Sequence, residues 1–405
     1  MHDMPKIESN YSAPHFNPLP VVLTRGEGVY VWDQNGKRYL DLSSAVSVVN
    51  YGHCHPRLTE ALMQQAQKLT VTSRLFHNDQ LAPFLQKICE MTGQDKAVPM
   101  NSGTEAVETA IKAARKWGYI HKNIPDNQAE IIVCEGNFHG RTISMIGLST
   151  EPKYRNQFGP FTPGFKIIPY NNPDALRNAI TPNTVAFLVE PIQGEAGVII
   201  PSPGFLKQCE TICRENQVLL LCDEVQAGLG RTGTMLACEH DNVKPDGVML
   251  GKALGGGLVP ISVFLGRSEL LDVLTQGTHG STLGGNPLAA AVATAALNIL
   301  LEEDLMQKSF INGSYFLNKL RAIQNPFIKE IRGKGLFIAM EINTDRISTR
   351  EIALKFLEHG ILSVDSRGRA IRLMPALTIS QDQIDDAVEC IQKSLCELVT
   401  SVATE

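Results

Sequence analysis

Residues 218–257 read VLLLCDEVQAGLGRTGTMLACEHDNVKPDGVMLGKALGGG, and this stretch decides the fold. A short apolar run, Val218 to Cys222, ends at Asp223-Glu224. A strand buried on both faces of a parallel sheet reads this way, continuously apolar rather than alternating. A second run, Gly247 to Leu250, delivers Lys252 into the glycine-rich loop Gly255–Gly257. In open α/β sheets ligands bind outside the carboxyl ends of the strands. An acid and a lysine are therefore expected together at a ligand-binding edge.

A buried, unpaired carboxylate is costly, so Asp223 is expected to face a cation. A lysine among small residues can reach a bound carbonyl and form a Schiff base. Pyridoxal 5'-phosphate needs both groups, a lysine for its aldehyde and an acid for its pyridinium nitrogen. On this stretch alone, a structural Asp223–Lys252 ion pair is the plainer alternative.

Upstream, Lys96–Met100 and Glu130–Cys134 read as strands, as do Phe165–Pro169 and Ala186–Glu190. Asn101-Ser102-Gly103-Thr104-Glu105 opens a helix after the first of these. A helix start offers free N–H groups and the positive end of the dipole, which suits a phosphate, although an ordinary N-cap explains the serine equally well. Phe138 and Arg141 sit in the loop Gly136–Arg141; a ring there could stack on a flat cofactor, and a guanidinium could fork onto a carboxylate. Glu190 and Glu195 fall at the same end of the sheet. Gly228–Gly233 matches G-x-G-x-x-G, but no helix of useful length follows it, so a nicotinamide site is the weakest reading. Downstream, a long helix over 287–303 leads into an α+β pattern. The prolines at 5, 14, 18 and 20 predict an irregular first twenty residues.

The chain of 405 residues carries 37 basic and 42 acidic side chains, a net charge of −5. With no long basic run, neither nucleic acid nor an anionic membrane is an expected partner. Nine scattered cysteines in so long a chain suit free thiols in the cytoplasm rather than a disulfide frame. No apolar run reaches membrane-spanning length. His53-Cys54-His55 lacks a second ligand group at a recognisable spacing, so no metal is expected.

The segments NSGTEAVETAIKAARKW, GNFHGRT, VEPIQGEAGV, CDEVQAGLGRTG, LGKALGGG and GSTLGGNPLA follow one another in this chain. In content and order they resemble the class III aminotransferases, pyridoxal-phosphate enzymes of fold type I, over about residues 16–398. Within that class the chain is most similar to the ornithine aminotransferases, with N-acetylornithine aminotransferases as near neighbours. The resemblance implies an α/β fold: a large domain with a mostly parallel seven-stranded sheet over 46–290, and a smaller α+β domain built from 1–45 and 291–405. It implies that Lys252 holds the cofactor and shuttles the proton, that Asp223 pairs with the ring nitrogen, that Gln226 meets the ring hydroxyl and that Phe138 stacks on the ring. Ser102, Gly103 and Thr104 would bind phosphate, and Thr282 would complete that site from the other subunit of a homodimer. Arg141 would bind a substrate carboxylate. Glu195 and Arg372 would form an ion pair during reaction of the amino donor, which opens for 2-oxoglutarate; Glu190 would belong to the same polar shell. An exchange of two substrates needs such a pair, whereas a racemase, mutase, decarboxylase or idle scaffold of this fold does not.

Two positions depart from the ornithine aminotransferases. Phe16 and Val46 stand where those enzymes carry active-site tyrosines, so two hydroxyls are missing. Losing one hydrogen-bond partner to a buried charged group costs about 1–3 kcal/mol. Tyr11 and Tyr51 are the candidates to compensate; an apolar pair would suit N-acetylornithine or another ω-amino donor such as 4-aminobutyrate.

Overall fold

The computed structural model describes residues 4–402. Its centre is a seven-stranded sheet. Its strands are β4 (Lys96–Met100), β5 (Glu130–Cys134), β6 (Phe165–Ile168), β7 (Thr184–Val189), β8 (Leu219–Asp223), β9 (Gly247–Leu250) and β10 (Ser262–Gly266), in the spatial order β4-β10-β9-β8-β7-β5-β6; β1 to β3 precede them in the chain and are given below. Pairings from β6 through β9 are parallel, and β10 alone runs against its neighbours β9 and β4.

The opening stretch behaves as its apolar runs predict. Every residue of β7, β8, β9 and β10 is buried. Side chains alternate between the two faces, because successive residues of a strand point to opposite sides. Leu219 and Leu221 join a core layer with Ala106, Ala110 and Trp117 of the helix Gly103–His121. Leu220 and Cys222 join the opposite layer with Leu206, Cys209 and Cys213 of the helix Phe205–Glu215. Two covered faces leave only the strand ends open, and β8 ends in Asp223.

Two smaller sheets use the chain's ends. β1 (Leu23–Glu27), β2 (Tyr30–Asp33) and β3 (Arg38–Asp41) form an antiparallel meander, with Asp33–Gly36 turning between β2 and β3 as expected. Its last strand, β13 (Ile361–Leu362), pairs parallel with β3. β11 (Ile328–Lys334), β12 (Phe337–Ile342), β15 (Ala370–Leu373) and β14 (Val364–Ser366) make an antiparallel sheet in that order.

Two local features depart from expectation. Met4–Tyr11 is a helix with no buried residue, not an irregular segment. Pro5 sits in its first turn, where the missing N–H would have no partner in any case, and the other three prolines lie beyond its end. Ser44–Ser47 is a single turn in which all four residues have positive φ, from 46° to 65°. Non-glycine residues avoid this region, and β-branched Val46 most of all. The turn is held from both sides. The Asp41 carboxylate accepts from the amides of Ser43 and Ser44 at 2.8 and 3.0 Å, and Ser44 Oγ donates to the carbonyl of Met374 at 2.6 Å.

Candidate active site

Strand carboxyl ends and the loops that follow them enclose a cavity of about 190 Å³. Lys252, Asp223, Gln226, Glu190, Glu195 and His139 supply its polar wall, and Gly103, Thr104, Phe138 and Ile192 are among the residues that line the rest. Thus eight residues singled out from the sequence meet in one place: Lys252, Asp223, Gln226, Gly103, Thr104, Phe138, Glu190 and Glu195.

Asp223 does not pair with Lys252. Its Oδ2 accepts instead from Nδ1 of His139 at 2.7 Å, and its Oδ1 from the amide of Val225 at 3.1 Å. A carboxylate only accepts, so the imidazole proton sits on Nδ1. Burial opposes charge on His139, but the hydrogen bond and charge of Asp223, with Glu190 behind, raise its pKa overall. His139 lies in the motif GNFHGRT yet was not singled out; a histidine in a loop at a strand's carboxyl end was the available signal.

Lys252 begins a short 3₁₀ turn at φ 45°. Its amine makes no hydrogen bond or ion pair among the described residues, so the plain structural ion pair is not formed. Burial lowers its pKa to about 8; Glu195 opposes the shift and Arg372 adds to it. Glu190 accepts from the amides of Phe138 and Gly194 at 2.9 and 3.2 Å. Burial nevertheless raises its pKa to about 7. Glu224, next to Asp223, faces away and caps Ala237 and Cys238 through their amides at 2.9 and 2.8 Å.

Arg372 on β15 pairs with Glu195, Nη1 to Oε1 at 2.5 Å, and only 5% of its side chain is exposed. Burial pushes the Glu195 carboxyl up, but Arg372 and then Lys252 pull it below its ordinary value. Gln226 faces Glu195 closely enough to favour its charge, without hydrogen-bond geometry.

The remaining expected residues lie outside the cavity lining. Ser102 is the N-cap of the helix Gly103–His121; its hydroxyl accepts from the Glu105 amide at 3.3 Å, and Glu105 returns the bond to the Ser102 amide at 2.8 Å. Arg141 lies over the Tyr154 ring, 4.1 Å from its centroid. Thr282 is exposed on the loop before the helix Pro287–Glu302. Val46 packs against the cluster that contains Ile192, so it backs the cavity wall. Phe16, expected at the donor end, is 78% exposed and touches His15 instead. The chain around it forms no strand or helix that would carry the ring inward. Tyr11 is also exposed, and Tyr51 is buried in the core with its hydroxyl unpartnered. Neither lines the cavity.

The Gly228–Gly233 loop is no phosphate cradle. Leu229 and Gly230 fold back onto Met235 and Thr234 through backbone bonds of 2.8 and 3.1 Å, and Arg231 between them is wholly buried. His53 bonds Asp41 at 2.8 Å and His55 bonds Glu303 at 3.1 Å, both as structural contacts.

The class-III aminotransferase family model matches residues 11–395 of this chain. The chain belongs to the class-III aminotransferases. An ornithine aminotransferase of Geobacillus sp. (strain WCH70) is 52% identical over 388 residues, which cover 96% of this chain and 97% of that one. The solved structure of the ornithine aminotransferase from Toxoplasma gondii, which contains pyridoxal phosphate, superposes with a TM-score of 0.97 at 46% identity, covering 99% and 96% of the two chains. An acetylornithine aminotransferase from Elizabethkingia anophelis superposes with a TM-score of 0.89 at 45% identity, covering 97% and 98%.

As a class-III aminotransferase the chain uses pyridoxal phosphate, and its own atoms fit that group. The cavity wall holds buried polar atoms with no partner: Thr104 Oγ1, His139 Nε2 and the amide atoms of Gln226. Buried polar groups are normally satisfied, so these await a ligand. Thr104 stands at a helix start, where amides favour phosphate. Glycine keeps the backbone close there: a Cβ on Gly140 would meet Thr104 Oγ1 at 2.3 Å, and one on Gly103 would meet Val225 at 2.8 Å.

Proposed function

We propose that this aminotransferase moves the δ-amino group of L-ornithine to 2-oxoglutarate, giving glutamate 5-semialdehyde and L-glutamate. The observation that carries the reading is the closed Glu195–Arg372 pair beside Lys252. One cavity must accept a cationic donor and then a dicarboxylate. With the pair closed the site offers one positive charge fewer to the donor; with Glu195 withdrawn, Arg372 presents a fork to the acceptor's carboxylate. The near-full-length likeness to ornithine aminotransferases supports the donor.

When bound, pyridoxal phosphate supplies the electron sink that lets an amino group change carbon skeletons. Lys252 would be its anchoring amine, and burial, which holds that amine near 8, would let it serve uncharged as the base that takes and returns the proton at the amine-bearing carbon. Asp223 would hold the ring nitrogen's proton, and His139 fixes the Asp223 carboxylate in place. Gln226 would meet the ring hydroxyl, and Phe138 would stack on the ring. The helix start at Gly103 and Thr104 would hold the phosphate. Arg141 takes the substrate's distal carboxylate.

The reading includes a cytoplasmic homodimer in which the partner subunit's Thr282 completes the phosphate site. Exposed Leu75 and Phe76, and Thr282 standing outside its own cavity, support the dimer. Nine unpaired cysteines support a reducing compartment. The three-sheet layout and the β3–β13 pairing support a large domain over 46–290 and a small one from both chain ends.

The test is a half-reaction without keto acid. The change in cofactor absorbance is followed with L-ornithine, N-acetyl-L-ornithine and 4-aminobutyrate in turn. Ornithine is expected to convert the cofactor fastest. A faster reaction with either of the others overturns the donor assignment.

A further inference from the structure

A second guanidinium shares the Tyr154 ring with Arg141 and has no task in the reaction proposed for this site. Arg367 lies between β14 and β15 at φ 48°. Its Nη2 donates to the Asn137 carbonyl at 3.1 Å, one residue before Phe138 of the cavity lining. Its Nε is buried and has no hydrogen-bond partner. Its Cζ is 5.7 Å from the centroid of the Tyr154 ring, and Arg141 Cζ is 4.1 Å from the same centroid. Tyr154 meets Phe138 edge-on at 6.0 Å. Neither guanidinium makes an ion pair among the described residues.

Cation–π attraction gathers both side chains at one phenol ring. It also leaves two like charges at one ring with no anion between them, an arrangement that an arriving carboxylate relieves. A carboxylate has about four acceptor sites and can serve two forks together. The loop carrying Arg367 is also tied to the Glu195–Arg372 pair: Ser366 Oγ donates to the Glu195 carbonyl at 2.5 Å, and Arg372 Nη2 to the Asp365 carbonyl at 3.4 Å.

We propose that Arg367 is a specificity-determining residue, which with Arg141 on the Tyr154 ring forms a two-guanidinium clamp for the carboxylate remote from the reacting amine. The clamp rests on the aminotransferase reading above. It supplies the charged contact that neither Phe16 nor Val46 can offer.

The experiment compares donors that differ only in that carboxylate. In cofactor-loaded Arg367→Met, kcat/KM for L-ornithine is expected to fall about ten- to hundredfold, the effect of losing one hydrogen bond to a charged group. The value for 1,4-diaminobutane stays unchanged, and inhibition by glutarate weakens in parallel with ornithine. Arg367→Lys restores part of the loss, because it keeps the charge without the fork. Equal losses with both donors, no loss with either, or an unchanged glutarate inhibition constant overturns the clamp. The wild-type ranking of donors is a separate readout. If another ω-amino acid leads it, that acid and its decarboxylated amine replace the pair, so the donor assignment can fail while the clamp stands.

Discussion

Arg231 and Arg372 are both buried, and their surroundings differ in kind. Arg231 gives its Nη atoms to three neutral oxygens from distant segments: the carbonyls of Leu336 and Pro375 at 3.0 and 2.6 Å, and Asn50 Oδ1 at 2.5 Å. Burial lowers its pKa to about 9, and the charge of Asp41 offsets only part of that. Arg372 faces one carboxylate, Glu195, at the cavity edge. An arginine bound by several backbone and amide oxygens has no partner that a ligand could replace, so it fixes the segments it touches. An arginine bound by one carboxylate can exchange it for another of the same shape. The contrast separates a structural cation from a working one without reference to how deeply either is buried.

The largest effect expected concerns the lysine that Arg372 reaches and Arg231 does not. The neutral amine is the reactive form, and its fraction grows as pH rises through the folded-state value. With Lys252 near 8, uptake of pyridoxal phosphate by cofactor-free protein should quicken about fiftyfold from pH 6 to pH 8 and then level. A rise that continues towards the ordinary lysine value would break this account. Next comes Arg231→Met, which orphans three buried oxygens. It should lower unfolding stability by about 3–5 kcal/mol, read from the urea midpoint; a loss below about 1 kcal/mol would make Arg231 no anchor. The double change Glu195→Gln with Arg372→Met removes both charges together. It should leave stability within about 1 kcal/mol of the parent while cutting kcat/KM for 2-oxoglutarate by about ten- to hundredfold. If this variant unfolds as readily as Arg231→Met, the two arginines are not different in kind. Glu195→Ala alone frees Arg372, and should raise kcat/KM for glutamate relative to ornithine about tenfold; an unmoved ratio counts against the switch. Smallest is Ala45→Gly in the left-handed turn. The exposed side chain is lost and the strained backbone relaxes, so a gain of about 1 kcal/mol in thermal unfolding is expected.

The sheet was legible because its strands are covered on both faces, and such runs announce themselves locally. Asp223 and Lys252 were legible for the same reason, each standing just past one of those runs. The pairing of Glu195 with Arg372 was reached only through the family's motifs, since 177 residues separate them. Arg231 was read as part of a glycine pattern; its three acceptors come from Asn50, Leu336 and Pro375, which no local pattern joins. His139 and Arg367 were passed over for a related reason, as their partners Asp223 and Tyr154 are fixed by tertiary packing. The turn at Ser44–Ser47 contains no glycine and no Asn or Asp, so its local sequence argues against the conformation that Asp41 and Met374 impose.

That turn amounts to one coil of mirror-image helix written in ordinary residues. Its handedness is set by anchors on either side, against the chirality of the amino acids themselves. A D-alanine introduced at position 45 by chemical ligation would therefore suit the backbone better than the natural residue. Here, inverting a stereocentre should strengthen the fold rather than break it.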